Sequence, residues 1–336
     1  MRGLLPQVKA WKTSFRAMNT AVEVHLAVRD EQRFRDLVFK VQHWFEIQEK
    51  RFSRFLPDSE LSRLNGSSGW VSVSLAMKEV LSLSRHFSSL SEGIYEPAVL
   101  PELKRVGYTQ SFEQLSSADQ SQDVYDSEET RFGYREWAFD AGSRMFRRGS
   151  GTALDLGGIV KGWCVYEIAQ WLKGQEDVQA ACVNAGGDLT VWSRSNQPVD
   201  WSIRIENPFK PDEDLGGLQI RNGSAATSSR LKRRWVRRSG REAHHLIDPR
   251  TGSSAESDIV QCTVTGGRLP ECEVIAKCMC ILGEVEGLAW LDRRNITHEM
   301  LWMDLKQRLH YRGSEQQCQM AAFRATPDVV HFYPEI

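Results

Sequence analysis

Apolar and polar residues alternate strictly through Thr20–Val28, with Val22, Val24, Leu26 and Val28 on one side and Glu23 and His25 on the other. A period of two belongs to a strand with one wet face, so a half-buried strand is predicted there. The period then changes. Phe34, Leu37, Val38, Val41, Trp44 and Phe45 recur every three or four residues, as do Met77, Val80, Leu81, Ser84 and Phe87, and both sets predict helices that turn one stripe to a core. Beyond Gly149 the pattern predicts a helix over 160–172, a strand over 179–184, a Gly-Gly turn, and strand-like pieces at 201–206, 218–221, 225–228, 244–247 and 260–265. A last helical stretch covers 270–294 with an interruption at Gly283, and short strands at 299–303 and 308–311 follow. Strands and helices without regular alternation predict an α+β fold with mixed and antiparallel sheets flanked by helices, rather than a doubly wound parallel sheet.

With 336 residues, 41% hydrophobic and 10% aromatic, the chain has ample apolar mass for a sizeable core. It reads as a single domain over 1–336, and the polar, acidic stretch 116–130 is either a solvated loop or the seam between two lobes. A formal net charge of −1 offers no long-range attraction to nucleic acid or an anionic membrane. The basic run 230–238, followed by Ser239-Gly240, reads as a solvated hairpin, although it also has the charge to meet phosphates or an acidic protein. The opening residues lack a signal-peptide core and no later run approaches membrane-span length, so a cytoplasmic protein without a membrane span is expected. Seven cysteines without zinc-type spacing point to reduced, packed thiols; Cys272, Cys278 and Cys280 scatter around a helix and predict no metal cluster.

The densest chemistry lies at 154–163, where Asp155, the pair Gly157-Gly158 and Lys161 stand at the mouth of a predicted helix. Glycines let a backbone approach a ligand, a helix start offers free N–H groups, and a lysine adds charge, which suits a phosphorylated ligand. Alone, the same residues would serve as a tight connection. At 244–252, two imidazoles, Asp248 and Arg250 surround an Asp-Pro turn, a set able to move protons and bind phosphate, or equally a hairpin in which Asp248 bonds its own turn. In 52–65, Asp58-Ser59-Glu60 predicts the cap of a short helix.

Taken in order, Met18-Asn19-Thr20, the segment 52–65, Tyr95-Glu96-Pro97, 154–162, the run Asn184-Ala185-Gly186-Gly187-Asp188, Ala226-Thr227-Ser228 and 245–252 resemble the motifs of the ApbE-like FAD:protein FMN transferases across most of the chain. That resemblance implies a T-fold-like architecture. It also implies FAD as donor, an acceptor flavoprotein whose Ser or Thr hydroxyl receives the FMN half, and AMP as the leaving group. On the same basis Met18, Phe55, Tyr95, Glu96, Pro97, Asp155, Asn184, Gly186, Gly187 and Thr227 would bind FAD. Lys161 and Arg250 would stabilise phosphate charge, and His245 would handle the proton with Asp248 orienting it or sharing the role.

The late helix departs from the pattern. Where the family's Asp and Thr would bind Mg²⁺ beside the Gly158 carbonyl, this chain has Glu273 and Lys277. An ammonium has three donors and no acceptor, so it cannot ligate a metal. Lys277 would instead bring its own charge to the place of the ion, held by Glu273; the alternative is an exposed i,i+4 salt bridge. Smaller departures are Asn19 for Gly, Phe55 for Tyr and Glu96 for Asp. The same site would also suit an FAD pyrophosphatase yielding FMN and AMP, or an FAD carrier without catalysis.

Overall fold

The computed structural model describes residues 9–117, 136–194, 199–237, 240–314 and 323–333. Among these, nine strands form one sheet: Lys9–Ala17, Thr20–Val28, Ala180–Ala185, Asp188–Ser193, Gly223–Ser229, Ile259–Gly266, Met300–Asp304, Leu309–Gly313 and Val329–Phe332, adjacent in that order. Every neighbouring pair is antiparallel except the last, which is parallel. The α+β expectation holds. Strands from both sides of the predicted seam enter this sheet; most of the seam itself, from residue 118 on, lies outside the described residues.

Helices α1 (Glu31–Phe52), α6 (Val160–Lys173) and α7 (Leu269–Arg293) cross one face of the sheet, while α2 (Glu60–Gly66), α3 (Leu75–Leu90), α4 (Leu100–Arg105) and α5 (Phe112–Ser117) build the region between α1 and α6 in the chain. The helical stripes read from the sequence face inward: Phe34, Leu37, Val38, Val41 and Phe45 of α1 and Met77, Val80, Leu81 and Phe87 of α3 join Val22, Val24, Leu26 and Val28 in one core. The predicted cap also holds, with Ser59 accepting the N–H of Ser62, and the structure adds Asp30 and Ser74, which accept the N–H of Arg33 and Met77. The opposite face of the sheet is covered by a three-stranded sheet of Trp201–Glu206, Asp214–Ile220 and Phe323–Arg324, so that Leu189, Val191, Val260 and Leu301 pack against Ile205, Leu218 and Phe323. Strands covered on both faces have no wet side to alternate with, and Asp188–Ser193 is buried throughout.

The differences from the sequence reading include two that bear on the sheet and the hairpin. The stretch 244–247 is not one strand: Glu242–His244 pairs with Arg234–Val236 in the expected basic hairpin, the chain bends, and Ile247–Asp248 pairs with Ser253–Ser254. Lys9–Ala17 is an edge strand missing from the sequence reading, with Trp11, Thr13, Phe15 and Ala17 turned inward and Lys12, Ser14 and Arg16 outward.

Candidate functional site

The glycine-rich and hairpin turns meet at one end of the sheet. The first hairpin closes through Met18 and Asn19, both with positive φ (51° and 55°), the type I′ geometry that a two-residue hairpin turn needs. Glycine would serve best there; asparagine is among the few residues that tolerate it, which explains Asn19. Next to it, Gly186 (φ 63°) donates its N–H to the Ala21 carbonyl at 3.1 Å, and a Cβ on it would come within 2.3 Å of the Thr20 hydroxyl. Asn184 holds this second turn by accepting from the Gly187 N–H at 2.9 Å.

The 154–158 loop is tied from three sides. Asn65, at the end of α2, pairs with Leu154 like a strand neighbour, its side chain donating to the Leu154 carbonyl (2.9 Å) and accepting from its N–H (2.7 Å). The Pro97 carbonyl accepts from the Asp155 N–H at 2.7 Å. Asp155 in turn accepts from Gly157 N–H at 2.9 Å and pairs with Arg54 at 2.6 Å, and the Arg54 guanidinium lies 4.2 Å from the Phe55 ring centre and 4.6 Å from that of Tyr108. Segments 52–65, 95–97 and 154–158 are therefore one physical unit, although about 90 residues separate Asn65 from Leu154.

Around these turns lies a cavity of about 710 Å³. Its wall includes Met18, Phe55, Tyr95, Glu96, Asp155, Gly158, Lys161, Asn184, Gly186, Gly187, Thr227, His245, Glu273 and Lys277 among the residues singled out from the sequence. Three of the predicted site residues are outside that wall. Pro97 acts through its backbone carbonyl on Asp155. Asp248 and Arg250 turn to each other: Arg250 donates to the Asp248 carboxylate at 2.8–3.2 Å and reaches on to Glu286 at 2.6 Å, and Asp248 also takes the Arg250 N–H at 2.9 Å. The short side chain of Asp248 closes its own turn, so the carboxylate is spent on the loop rather than presented to the cavity.

The cavity floor carries two acids and two amines. Lys161 is paired with Asp188, whose other oxygen accepts the Thr227 N–H at 3.1 Å; Glu273 accepts the Gly162 N–H at 3.0 Å. Burial, with Asp188 adding to it, pushes the Glu273 carboxyl above its usual range, while Lys277 and Lys161 pull it back. Lys277 donates to the Gly158 carbonyl at 2.8 Å, and a Cβ on Gly158 would come within 2.3 Å of that ammonium. The carbonyl that the resemblance assigns to a metal is thus taken by an ammonium, and Glu273 is committed to a backbone N–H instead of holding the lysine. The residues present do not fit a divalent cation between Gly158 and Glu273. An exposed i,i+4 salt bridge is also excluded, since Glu273 is 5% exposed.

His245 lies above this floor. Burial first, then the charges of Arg233 and Lys277 and the nearby His244, hold its imidazole well below the ordinary histidine range, so it is neutral at pH 7. Its Nδ1 is 3.4 Å from the Arg233 carbonyl. A carbonyl only accepts, so Nδ1 carries the hydrogen and Nε2 keeps a lone pair. Tyr95 is buried, its hydroxyl 3.3 Å from the Ser84 hydroxyl and its ionisation pushed up by that burial. Glu96 accepts from Ala98 N–H (2.8 Å) and Trp137 Nε1 (3.3 Å), while Thr227 and Thr263 share a hydroxyl contact of 2.9 Å.

Several wall residues have no individual role in the sequence reading: Arg54, Tyr108, Asp188, and Lys232 and Arg233, which enter it only as part of the basic run able to meet phosphates. Arg54 and Asp188 stood inside quoted motifs and were identifiable by position. Tyr108 had no signal at all. Lys232 and Arg233 were absorbed into the basic hairpin, but they precede its first strand, Arg234–Val236, and line the cavity.

The sequence pattern of the ApbE family matches residues 18–302. An FAD:protein FMN transferase of Treponema pallidum is 26% identical over 288 residues, covering 81% of this chain and 75% of the relative. One from Escherichia coli K12 is 23% identical over 278 residues, 81% and 78%. A Klebsiella pneumoniae protein of the same name is 27% identical over 150 residues, only 45% of each chain. The fold matches the crystal structure of the Thermotoga maritima ApbE protein with a TM-score of 0.75 at 20% identity over 93% of this chain and 99% of that one. It matches the flavin transferase ApbE of Vibrio cholerae with a TM-score of 0.73 at 20% identity, 90% and 96%.

Proposed function

The chain belongs to the ApbE family, and from that premise we propose that it transfers the FMN half of FAD to a Ser or Thr hydroxyl of an acceptor flavoprotein, releasing AMP. The observation that carries the reading is the cavity, where a neutral imidazole, three lysines and three arginines converge beside the glycine turns. Its volume of about 710 Å³ lies within the roughly 300–1,000 Å³ of small-molecule sites.

Met18, Phe55 and Tyr95 would bound the flavin, and the turns at Gly157-Gly158 and Gly186-Gly187 would let backbone approach the pyrophosphate. His245 Nε2 would accept the proton of the acceptor hydroxyl as its oxygen forms a bond to the FMN phosphorus. The bond from that phosphorus to the bridging oxygen breaks, and AMP leaves with the bridging oxygen and the electron pair. Charge that develops on the phosphoryl oxygens would be met by Lys277, Lys161 and Arg233. Lys277 stands where relatives would place Mg²⁺, so no step here runs through a metal. Asp248 and Arg250 would act from behind, fixing the loop that carries His245. We read the chain as one catalytic unit, supported by a sheet that draws on both of its ends. Among the described residues no helix is long and apolar enough to cross a membrane. Cytoplasmic placement belongs to the same reading, supported by six buried, unpaired cysteines.

The test is to incubate the purified protein with FAD and a Ser/Thr-containing acceptor, with Mg²⁺ or with excess EDTA, and to follow acceptor mass and AMP. A gain of one FMN in both conditions is expected. Free AMP without acceptor labelling would make the protein a pyrophosphatase, and intact bound FAD without AMP would make it a carrier.

A further inference from the structure

We propose that His310, His331 and Glu284 form a binding site for one divalent transition-metal ion of the zinc class, outside the flavin cavity. The three residues come from different elements. Glu284 opens the second half of α7, His310 lies in Leu309–Gly313 and His331 in Val329–Phe332, the two strands that end the sheet. None of them lines the cavity.

Their donor atoms all lie within 4.8 Å of one another. His310 Nδ1 is 3.2 Å from a Glu284 oxygen and 3.4 Å from His331 Nε2, and His331 Nε2 is 3.9 Å from the other Glu284 oxygen. Ligands about 2.0–2.1 Å from a tetrahedral zinc stand about 3.3 Å apart, so His310 Nδ1 already has that spacing to both partners, and a small turn of the Glu284 carboxylate or the His331 ring would complete the face. Two imidazole nitrogens and one carboxylate favour zinc-class ions over Mg²⁺ or Ca²⁺, which take oxygen.

The surroundings hold these atoms in place. Asp304 faces the far side of the His310 ring, with Oδ2 3.2 Å from Nε2, so with a metal bound that nitrogen would donate its hydrogen to Asp304 and the Nδ1 lone pair would be free for the ion. Asp304 is itself anchored by the N–H groups of Lys306 and Arg308, each at 2.8 Å, and by the Arg308 guanidinium. The Trp302 ring stacks on both imidazoles, 5.2 Å and 5.0 Å between centres. Arg312, the register partner of His331, is turned away onto Asp292 and the Ile296 carbonyl. The break in α7 also aims the carboxylate: Gly283 leaves helical geometry at φ 77° and ψ −178°, and the helix restarts with Glu284 N–H capped by Asp258 at 2.9 Å. His310 is 1% exposed, whereas the side chains of Glu284 and His331 are 22% and 21% exposed, which leaves the fourth position open to solvent. The ion would clip α7 to the last two strands.

The test uses the full chain stripped by chelation and then dialysed against Zn²⁺ in excess Mg²⁺. We expect one zinc retained per chain by elemental analysis and a higher thermal midpoint than in the stripped protein. His331→Ala and Glu284→Gln should each lose the retained zinc and the thermal rise, and Asp304→Asn should weaken binding about 10–100-fold. Should His331→Ala fail to fold, His331→Gln takes its place, with Co²⁺ absorption as the readout that a merely structural role would not move. Flavin transfer by the His331 variants should match the parent. No zinc retained by the wild type, or the same zinc retained by the His331 variants, would overturn the proposal.

Discussion

The two halves of α7, parted at Gly283, solve one electrostatic problem in opposite ways. The first half sends Glu273 and Lys277 to the cavity floor, where the lysine ammonium sits on the Gly158 carbonyl. The second sends Glu284 to two imidazoles, and Glu286 to Arg250. On the cavity side the positive charge is built into the chain, so nothing exchangeable is needed. On the sheet-edge side a carboxylate faces two imidazole nitrogens, and the proposed metal would bring the charge from solution. One lysine at the right helical position marks the difference.

The largest expected loss tests the cavity half: His245→Ala should slow flavin transfer by about 10²–10⁴-fold, the usual worth of a general base. Because burial and cations hold His245 neutral, the wild-type profile of kcat/KM should show no His245 limb near pH 6.5, only one displaced well to the acid side. A limb near 6.5 that vanishes in the variant would contradict the environment described. Next, Lys277→Ala should cost about 10²–10³-fold in kcat, the range for removing one preorganised donor from a developing charge. Lys277→Thr should exchange the built-in charge for a ligand, giving activity that EDTA abolishes and Mg²⁺ restores; if it stays insensitive to both, the comparison between the halves fails.

The break itself is expected to matter for stability more than for chemistry. At Gly283, φ is 77° and a Cβ would come within 2.6 Å of an Asp258 carboxylate oxygen. Gly283→Ala should therefore cost about 1–3 kcal/mol in urea unfolding, with zinc uptake lost and flavin transfer retained. A baseline comes from His244, which belongs to neither half and whose imidazole burial lowers to about 4. Below its unfolded value of about 6.5 the unfolded chain binds the proton more readily, so stability should fall as pH drops from 6.5 through 4, with no change from this group above 6.5. His25 and His298, lowered mainly by burial, push the same way. Urea midpoints at pH 7 and pH 5 would show it, and a midpoint that rises at pH 5 would reverse the sign.

What could be read from the sequence followed its periodicities. The α1 and α3 stripes, the Thr20–Val28 alternation and the Gly283 interruption all survive in the structure because each is a local constraint on which side of an element is wet. The edge strand Lys9–Ala17 carries a weaker alternation, since Lys9 and Thr13 stand among its inward-phase positions and an edge tolerates charge along its length. Most residues named through the ordered motifs line the cavity. Asp248 and Arg250 do not, because the same residues suit a catalytic pair and a self-bonded turn, and the fold joins them to each other.

The sequence by itself determined the element types, the glycine turns, the motif order and the replacement of an acceptor by Lys277, since each of these is written in residue chemistry and spacing. Only the tertiary structure decided that Lys277 lies on the Gly158 carbonyl, 119 positions away, and that Glu284, His310 and His331 face one another. Those meetings depend on strand register and on the direction of α7 after its break, and hydrophobic periodicity sets which face of an element is buried without specifying what it is buried against.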